Sequence, residues 1–260
     1  MIHASTMAAR SRSPTIGLLG MLCATLAQAQ TDGSFCAACQ QVPVTRLLDL
    51  NADTQNQFAH AVRADGDVAV VGIPGDDAIG NESGAVVVYR QTGFGWAVEA
   101  QLIANDGAPG DQFGQSVDVS GTTIIVGAPG ADVFGLNSGA AYVFQWQGES
   151  WVQTAKLLPR SAQPHDAFGS AVAISDNLAI VGSPGADSTC DVPGSVAADT
   201  CCNAGVATVF RRTMTNSLFG SANWAVSITL RSPSPQLGEG FGAAVDVQDD
   251  PIAPTVLVGA

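Results

Sequence analysis

The stretch that decides the fold is FGQSVDVSGTTIIVGAPGAD, residues 113–132. It contains two runs rich in Val, Ile and Thr, separated by a Ser-Gly pair and followed by a Gly-Ala-Pro-Gly turn. Such runs, bounded by Gly, Pro, Asn or Asp, are typical of short strands. The stretch therefore predicts two neighbouring strands followed by a tight turn.

The same phrase recurs along the chain with a fixed spacing of 55 residues. Each copy pairs a phenylalanine with a later Gly-x-Pro-Gly turn, and a further copy starts near the end of the chain. The recurring landmarks are Phe58, Phe113, Phe168 and Phe241, then Gly72, Gly127 and Gly182, and then Pro74, Pro129 and Pro184. Internal repetition at this period predicts a repeat array or a propeller.

Each repeat contains four strand-like runs. In the second repeat they span 113–119, 123–127, 140–144 and 151–157. The joins are too short for crossover helices, so neighbouring strands are predicted to be antiparallel. Four antiparallel strands per repeat describe a propeller blade. We predict an all-β fold, a β-propeller of four-stranded antiparallel blades with about three complete blades and a partial fourth. The repeats are predicted to span about 47–102, 103–157, 158–230 and, in part, 231–260.

The landmarks have predicted physical roles. Each phenylalanine should start the first strand and wedge between blades. A glycine follows three of them, at Gly114, Gly169 and Gly242, and would permit close backbone approach; Ala59 replaces it in the first repeat. An aspartate follows each Gly-x-Pro-Gly turn, and capping of turn N–H groups is favoured over metal binding for these residues. They are Asp77, Asp132 and Asp187.

The combination of FGQSV and VGAP resembles the FG-GAP repeat of the integrin α-chain propeller and of many secreted bacterial proteins. The resemblance covers about residues 47–260. It implies a propeller fold, but no single function, because this family serves adhesion, ligand binding and scaffolding alike.

Integrin-type repeats often bind calcium through an acidic loop between the first and second strands. The corresponding loops in the first three repeats are too short or too poor in carboxylates, and calcium needs several charged oxygen ligands. We expect no cofactor, with calcium left open as an alternative. The calcium candidates are Asp76, Asp77 and Asn81 in GDDAIGNE, and Asp249 and Asp250 in the fourth repeat.

The first 29 residues have the features of an export signal. Arg10 and Arg12 are basic, residues 16–26 are mostly apolar, and Ala-Gln-Ala at 27–29 is a cleavage site of the expected type. No later stretch is predicted to cross a membrane. We expect a secreted or cell-surface protein whose segment 30–46 carries a C-x-x-C motif and a possible closing strand.

Five cysteines remain after this signal: Cys36, Cys39, Cys190, Cys201 and Cys202. Export favours disulfides, and a zinc site that uses the C-x-x-C spacing is the alternative. Three of the five lie in STCDVPGSVAADTCC, an insertion in the third repeat, and a second insertion, TMTNSLFGSAN, precedes Trp224. Insertions in repeat proteins often lie on the binding face, so both are predicted to set specificity.

The incomplete fourth repeat has two explanations. Arg46-Leu47-Leu48 matches Lys156-Leu157-Leu158, the end of a fourth strand, so residues 41–48 could supply that strand to the last blade. We expect a truncated propeller, a piece of a longer protein. The alternative is a four-blade ring that lacks one strand or completes itself by oligomerising.

The net charge and the absence of catalytic motifs reduce the range of expected functions. A net charge of −13 excludes nucleic acid and anionic membranes as expected partners. Beyond the signal the chain has two histidines, His60 and His165, and no motif of a known catalytic site. We predict a non-catalytic exported module that binds an extracellular protein or glycan. The alternatives are a glycan-active enzyme that uses acidic residues at the propeller rim, and a scaffold fragment of a larger exported protein.

Overall fold

The computed structural model describes residues 47, 56–187, 203–214, 222–250 and 253–260. The described secondary structure lies within the unit Leu48–Ala260 and consists of β-strands. The strands form three four-stranded antiparallel sheets and one two-stranded sheet. The predicted propeller of three complete blades and a partial fourth is confirmed.

Each blade is a meander in which consecutive strands pair as hairpins. Blade 1 consists of β1 (Ala61–Asp65), β2 (Val68–Ile73), β3 (Ala85–Thr92) and β4 (Gly95–Leu102). Blade 2 consists of β5 (Ser116–Ser120), β6 (Thr123–Ala128), β7 (Ala140–Trp146) and β8 (Trp151–Leu157). Blade 3 consists of β9 (Ala171–Ser175), β10 (Leu178–Ser183), β11 (Val206–Met214) and β12 (Ala222–Arg231). Blade 4 has β13 (Ala244–Gln248) and β14 (Thr255–Gly259).

The second strand of each complete blade forms the core. Every residue of β2, β6 and β10 is buried, because these strands have a partner strand on both edges and side chains packed on both faces. This double cover explains their near-continuous apolar sequences. The strand β14, at the same position in blade 4, has one partner among the described strands and is exposed or half-buried along its length.

The repeats also agree in a local irregularity. The pairing of third and fourth strands shifts register at Val88/Tyr89, at Val143/Phe144 and at Val209/Phe210. An extra residue in one strand increases its local twist. The first strands of neighbouring blades contact each other, with β5 between β1 and β9 and with β9 next to β13, so these strands are the innermost.

The phenylalanine landmarks lie between blades, but the first strand does not begin there. The strand β5 begins at Ser116, not at residue 113 as predicted. The reason is that Phe113 pairs with Gly84 of the preceding blade in a parallel bridge. Its ring is 1% exposed and packs edge-on against Tyr142 at 5.6 Å.

The same joint recurs between blades 2 and 3. Phe168 pairs with Gly139, is fully buried, and packs edge-on against Phe210 at 6.1 Å. Phe58 and Phe241 are half-buried. The landmark ring is therefore fully enclosed where both neighbouring blades have all four strands.

The predicted close approach after each landmark is present. Gly114 has a φ of 95°, and a Cβ on it would lie 2.5 Å from the carbonyl oxygen of Ala85 in the preceding blade. Gly169 and Gly242 have φ values of 95° and 96°. Ala59, at the first of these positions, also has a positive φ, at 65°.

Several predictions concern residues outside the described ranges. They include the export signal at 1–29, the segment 30–46, the closing strand at 41–48 except for residue 47, and all five cysteines of the mature chain. No described residue belongs to a helix that is long and apolar enough to cross a membrane.

Candidate functional site

Two sets of loops lie at one end of the blades. They are the loops from the second to the third strand and the connections from a fourth strand to the next blade, because successive antiparallel strands turn at alternate ends. We call this end the loop face. Its described segments are 74–84, 103–115, 129–139, 158–170, 184–187, 203–205 and 232–243.

Backbone hydrogen bonds join the loop face of one blade to that of the next. Between blades 1 and 2, the Gly110 N–H donates to Asn81 O at 2.9 Å and the Phe113 N–H donates to Ser83 O at 3.1 Å. Between blades 2 and 3, the His165 N–H donates to Leu136 O at 2.8 Å and the Phe168 N–H donates to Ser138 O at 3.1 Å. The loops are thus fixed to the blades on both sides of each joint.

The repeated aspartates cap these loops from within. Asp77 accepts the Glu82 N–H at 2.8 Å, and Asp132 accepts the Asn137 N–H at 2.7 Å. Asp187 accepts the Asn203 N–H at 3.3 Å. Their carboxylates therefore fix the turn, in the role that was favoured over metal binding.

A second cap turns two apolar side chains outward. The Ile79 N–H donates to the Ser83 hydroxyl at 3.2 Å, and the Phe134 N–H donates to the Ser138 hydroxyl at 2.9 Å. Ile79 and Phe134 occupy the same repeat position, 55 residues apart. Their side chains are nevertheless 44% and 48% exposed, so two rigid loops present apolar groups to solvent.

The loop face of blades 1 and 2 combines apolar and acidic groups. The exposed large apolar residues are Ile79, Ile103, Phe134 and Leu136. The exposed acidic residues are Asp77, Glu82, Asp106 and Asp132. Lys156, a cation at this end of blade 2, is paired with Asp106 at 2.6 Å. This surface can bind apolar side chains and attract positive charge.

The calcium candidates fall into two groups at opposite ends of the blades. Asp76, Asp77 and Asn81 lie on the loop face, whereas Asp249 and Asp250 follow β13 at the other end. Asp76 accepts the Ala78 N–H at 2.9 Å, and Asp250 accepts the Ala253 N–H at 3.1 Å. Over the described ranges, no three His, Cys, Asp or Glu side chains gather in a way that could hold a metal ion.

Two further acids under the loop face were not singled out from the sequence. Asp111 and Asp166 are 5% and 6% exposed. Each accepts a backbone N–H three residues earlier, from Ala108 at 2.9 Å and from Gln163 at 2.8 Å. Burial raises the pKa of both carboxyls. Their 55-residue spacing, shared with Asn56, is the signal that could have found them.

The innermost strands carry another acid, the half-buried Asp118 on β5. Burial raises its pKa to about 6. Its carboxylate accepts the Ile174 N–H of the next inner strand at 2.7 Å and lies 3.9 Å from Arg63 of the previous one. A cavity of about 230 Å³ lies among these inner strands, and Arg63 lines it. Asp118 thus joins three blades near the axis.

These blades, with rings between them and fixed loops at one end, define a β-propeller of repeated four-stranded units. The model of the FG-GAP repeat matches residues 42–89, 96–144 and 151–197, which together make up more than half of the chain. The chain belongs to the FG-GAP repeat family. A search of curated proteins found no match.

Proposed function

We propose that the chain is an exported, non-catalytic propeller module that binds a protein through the loop face of blades 1 and 2. The observation that carries the proposal is the outward position of Ile79 and Phe134 on hydrogen-bonded loops of adjacent blades. Large apolar side chains exposed in a group and surrounded by polar residues are typical of protein-binding surfaces. Because the loops are already fixed, binding would cost little ordering entropy.

The charges indicate the chemistry of the partner. Asp77, Glu82 and Asp132 lie on the same loops as the apolar residues and are exposed. A partner with basic groups around an apolar patch would complement this surface, and its association would slow as salt screens the charges.

The placement of the acidic residues supports binding over hydrolysis. Asp77 and Asp132 cap their own loops, and Asp111 and Asp166 are buried with a backbone hydrogen bond each. A glycosidase needs two carboxylates that flank an accessible bond. Export is supported by the signal-like residues 1–29 and by the likeness of the repeats to secreted proteins.

The test measures binding of the purified chain to a panel of immobilised extracellular matrix proteins and polysaccharides. The variant Ile79→Ser/Phe134→Ser removes the apolar groups, and Phe94→Ser is the matched control. Phe94 is fully exposed in the β3–β4 turn, at the end opposite to the loop face.

We expect at least one protein of the panel to bind, with a tenfold or larger loss for the double variant and none for Phe94→Ser. Binding to this protein should also weaken between low and physiological salt. Binding to polysaccharides alone, or an equal loss in the Phe94→Ser variant, would show that the loop face is not the protein-binding surface.

A further inference from the structure

Blade 3 contains a polar cavity at a place that blade 2 fills with its own side chains. The cavity has a volume of about 110 Å³ and opens towards the loop face. The residues that define its chemistry are Arg160, Ser161, Asp166, Thr208, Thr229 and Arg231.

Strand pairing establishes which residues of the two blades correspond. In blade 2, Tyr142 on β7 pairs with Lys156 on β8, next to the pair Ala141–Leu157. In blade 3, Thr208 on β11 pairs with Thr229 on β12, next to the pair Ala207–Leu230. Two threonines therefore stand where blade 2 has a tyrosine and a lysine.

In blade 2 the corresponding space is occupied. The Tyr142 side chain is fully buried, and the Lys156 ammonium lies 5.2 Å from the centre of its ring. The same ammonium pairs with Asp106 at 2.6 Å. Blade 3 has Ser161 in place of Asp106, so it lacks the ring, the ammonium and the carboxylate together.

A buried threonine contributes to the wall of the cavity. Thr208 is 1% exposed and lines the cavity. A threonine hydroxyl can both donate and accept a hydrogen bond, so a ligand in the cavity can bond to it.

The charges around the two spaces differ. In blade 2, the charges that act on the Asp111 carboxyl are one ammonium, of Lys156, and two further carboxylates, of Asp106 and Asp132. In blade 3, two carboxylates (Asp166 and Asp187) lie with two guanidinium groups (Arg160 and Arg231). The residues that line the blade 3 cavity therefore carry equal numbers of acidic and basic groups, unlike those of blade 2. This balance favours a neutral ligand that has both hydrogen-bond donors and hydrogen-bond acceptors.

From this geometry we infer that the blade 3 cavity binds a single neutral sugar residue. Ring hydroxyls match the threonine and serine hydroxyls, the carboxylates and the guanidinium groups that line it. A cavity of about 150 Å³ can hold benzene, so a slightly smaller open cavity can admit one side of a six-membered ring. This site is separate from Ile79 and Phe134, and it would function whether or not those residues bind a protein.

The test measures ligand binding to the full chain by saturation-transfer NMR and calorimetry. The ligands are neutral monosaccharides, oligosaccharides that end in the same sugars, and N-acetyl-lysine amide as a cationic probe. Thr208→Val/Thr229→Val removes both hydroxyls at nearly constant volume, and Thr213→Val is the control. Thr213 lies on the same strand β11 but is exposed at the other end.

A neutral sugar should bind, with a tenfold or larger loss in the double valine variant and no change in Thr213→Val. Thr208→Tyr/Thr229→Lys/Ser161→Asp rebuilds the filled arrangement of blade 2 and should abolish binding while the chain stays folded by circular dichroism. Binding of the free sugar and binding of the oligosaccharide end would each support the inference. The ligand that binds more tightly shows whether the natural ligand is a free sugar or the end of a glycan chain.

Absence of sugar binding, preference for N-acetyl-lysine amide, or unchanged binding in the rebuilt variant would overturn the inference. Ile79→Ser/Phe134→Ser should leave sugar binding intact. Failure of the sugar site is therefore distinguishable from failure of the protein-binding proposal.

Discussion

Gly127 of blade 2 and Gly169 of blade 3 lie backbone to backbone, so closely that a Cβ on Gly127 would overlap the carbonyl oxygen of Gly169. Gly72 with Gly114 and Gly182 with Gly242 repeat this contact at the other joints. The first glycine of each Gly-x-Pro-Gly turn thus packs against the glycine that follows the next phenylalanine landmark. The two motifs of the repeat form one joint between adjacent blades.

Gly127→Ala tests this joint by sterics alone, because Gly127 does not have a positive φ. A methyl group in a space closed by backbone atoms forces the blades apart, and we expect a loss of roughly 3 kcal/mol in the free energy of unfolding. Urea denaturation measures it. Gly93→Ala is the control, since a Cβ at this position has no heavy atom within 4 Å. Equal stability of the two variants would contradict the close packing of Gly127 against the next blade.

Truncating the ring between blades gives a second test. Phe113→Ala leaves a cavity beside Tyr142 and Phe144, and such a change costs about 3–5 kcal/mol in a well-packed core. The exposed Phe94 provides the comparison, and Phe94→Ala should change stability by less than about 0.5 kcal/mol. Similar thermal unfolding of both variants would contradict the wedge role of Phe113.

These joints show which parts of the fold could be predicted from the sequence alone. The 55-residue spacing located Phe113, Gly127 and their copies because the joint needs one ring and two glycines at fixed positions. The start of β5 was predicted wrongly, at residue 113, because Phe113 pairs with a glycine of the previous blade. A pattern within one repeat does not reveal which backbone comes from its neighbour.

The half-buried Asp118 carboxyl makes stability depend on pH. Burial raises its pKa from 3.8 to about 6, so the native state holds a proton that the unfolded state releases. The cost of the buried charge is therefore absent at low pH and complete above about pH 6. Asp118→Asn mimics the neutral acid and should stabilise the protein by up to about 3 kcal/mol at pH 7.5.

Urea denaturation of Asp118→Asn and the natural chain at pH 4, 5, 6 and 7.5 measures this effect. The difference between the two should shrink towards zero at pH 4, since both residues are then neutral. Asp176→Asn, at an exposed position after β9, is the control. A variant that is less stable than the natural chain at pH 7.5, with a loss that fades towards pH 4, would show instead that Asp118 acts as a charged partner of Arg63.

Glu99 gives the opposite pH dependence. Burial alone would raise its pKa, but hydrogen bonds from Arg90 and Trp151 lower the pKa below its ordinary value. Arg90 binds it with two bonds of 2.8 and 2.9 Å, and the Trp151 indole N–H donates at 2.8 Å from the next blade. The stabilisation is therefore present at neutral pH and is lost as the carboxylate becomes protonated in acid.

Glu99→Gln should cost about 1–2 kcal/mol at pH 7, because hydrogen bonds to a charged group exceed those to a neutral one. Tryptophan fluorescence during urea unfolding measures this loss of stability. The difference in the free energy of unfolding between Glu99→Gln and the natural chain should become smaller towards pH 3. Glu149→Gln, at an exposed turn of blade 2, is the control. A loss that persists unchanged in acid would rule out the charge as its source.

Contacts of this kind escaped prediction for a physical reason. Glu99 and Trp151 occupy different repeats, and nothing in either repeat requires the other. The cavity in blade 3 was also not predicted, because the insertion between Asp187 and Asn203 breaks the spacing that would align Thr208 with Tyr142. Only strand pairing restores that alignment.

The most direct test of the proposed function is hydrogen exchange of the chain, alone and bound to the tightest-binding protein of the matrix panel. Binding through the loop face of blades 1 and 2 predicts slower exchange at 76–84 and 131–139, with the turns at 92–95 and 146–151 unchanged. Slower exchange confined to those turns, at the opposite end of the blades, would contradict it.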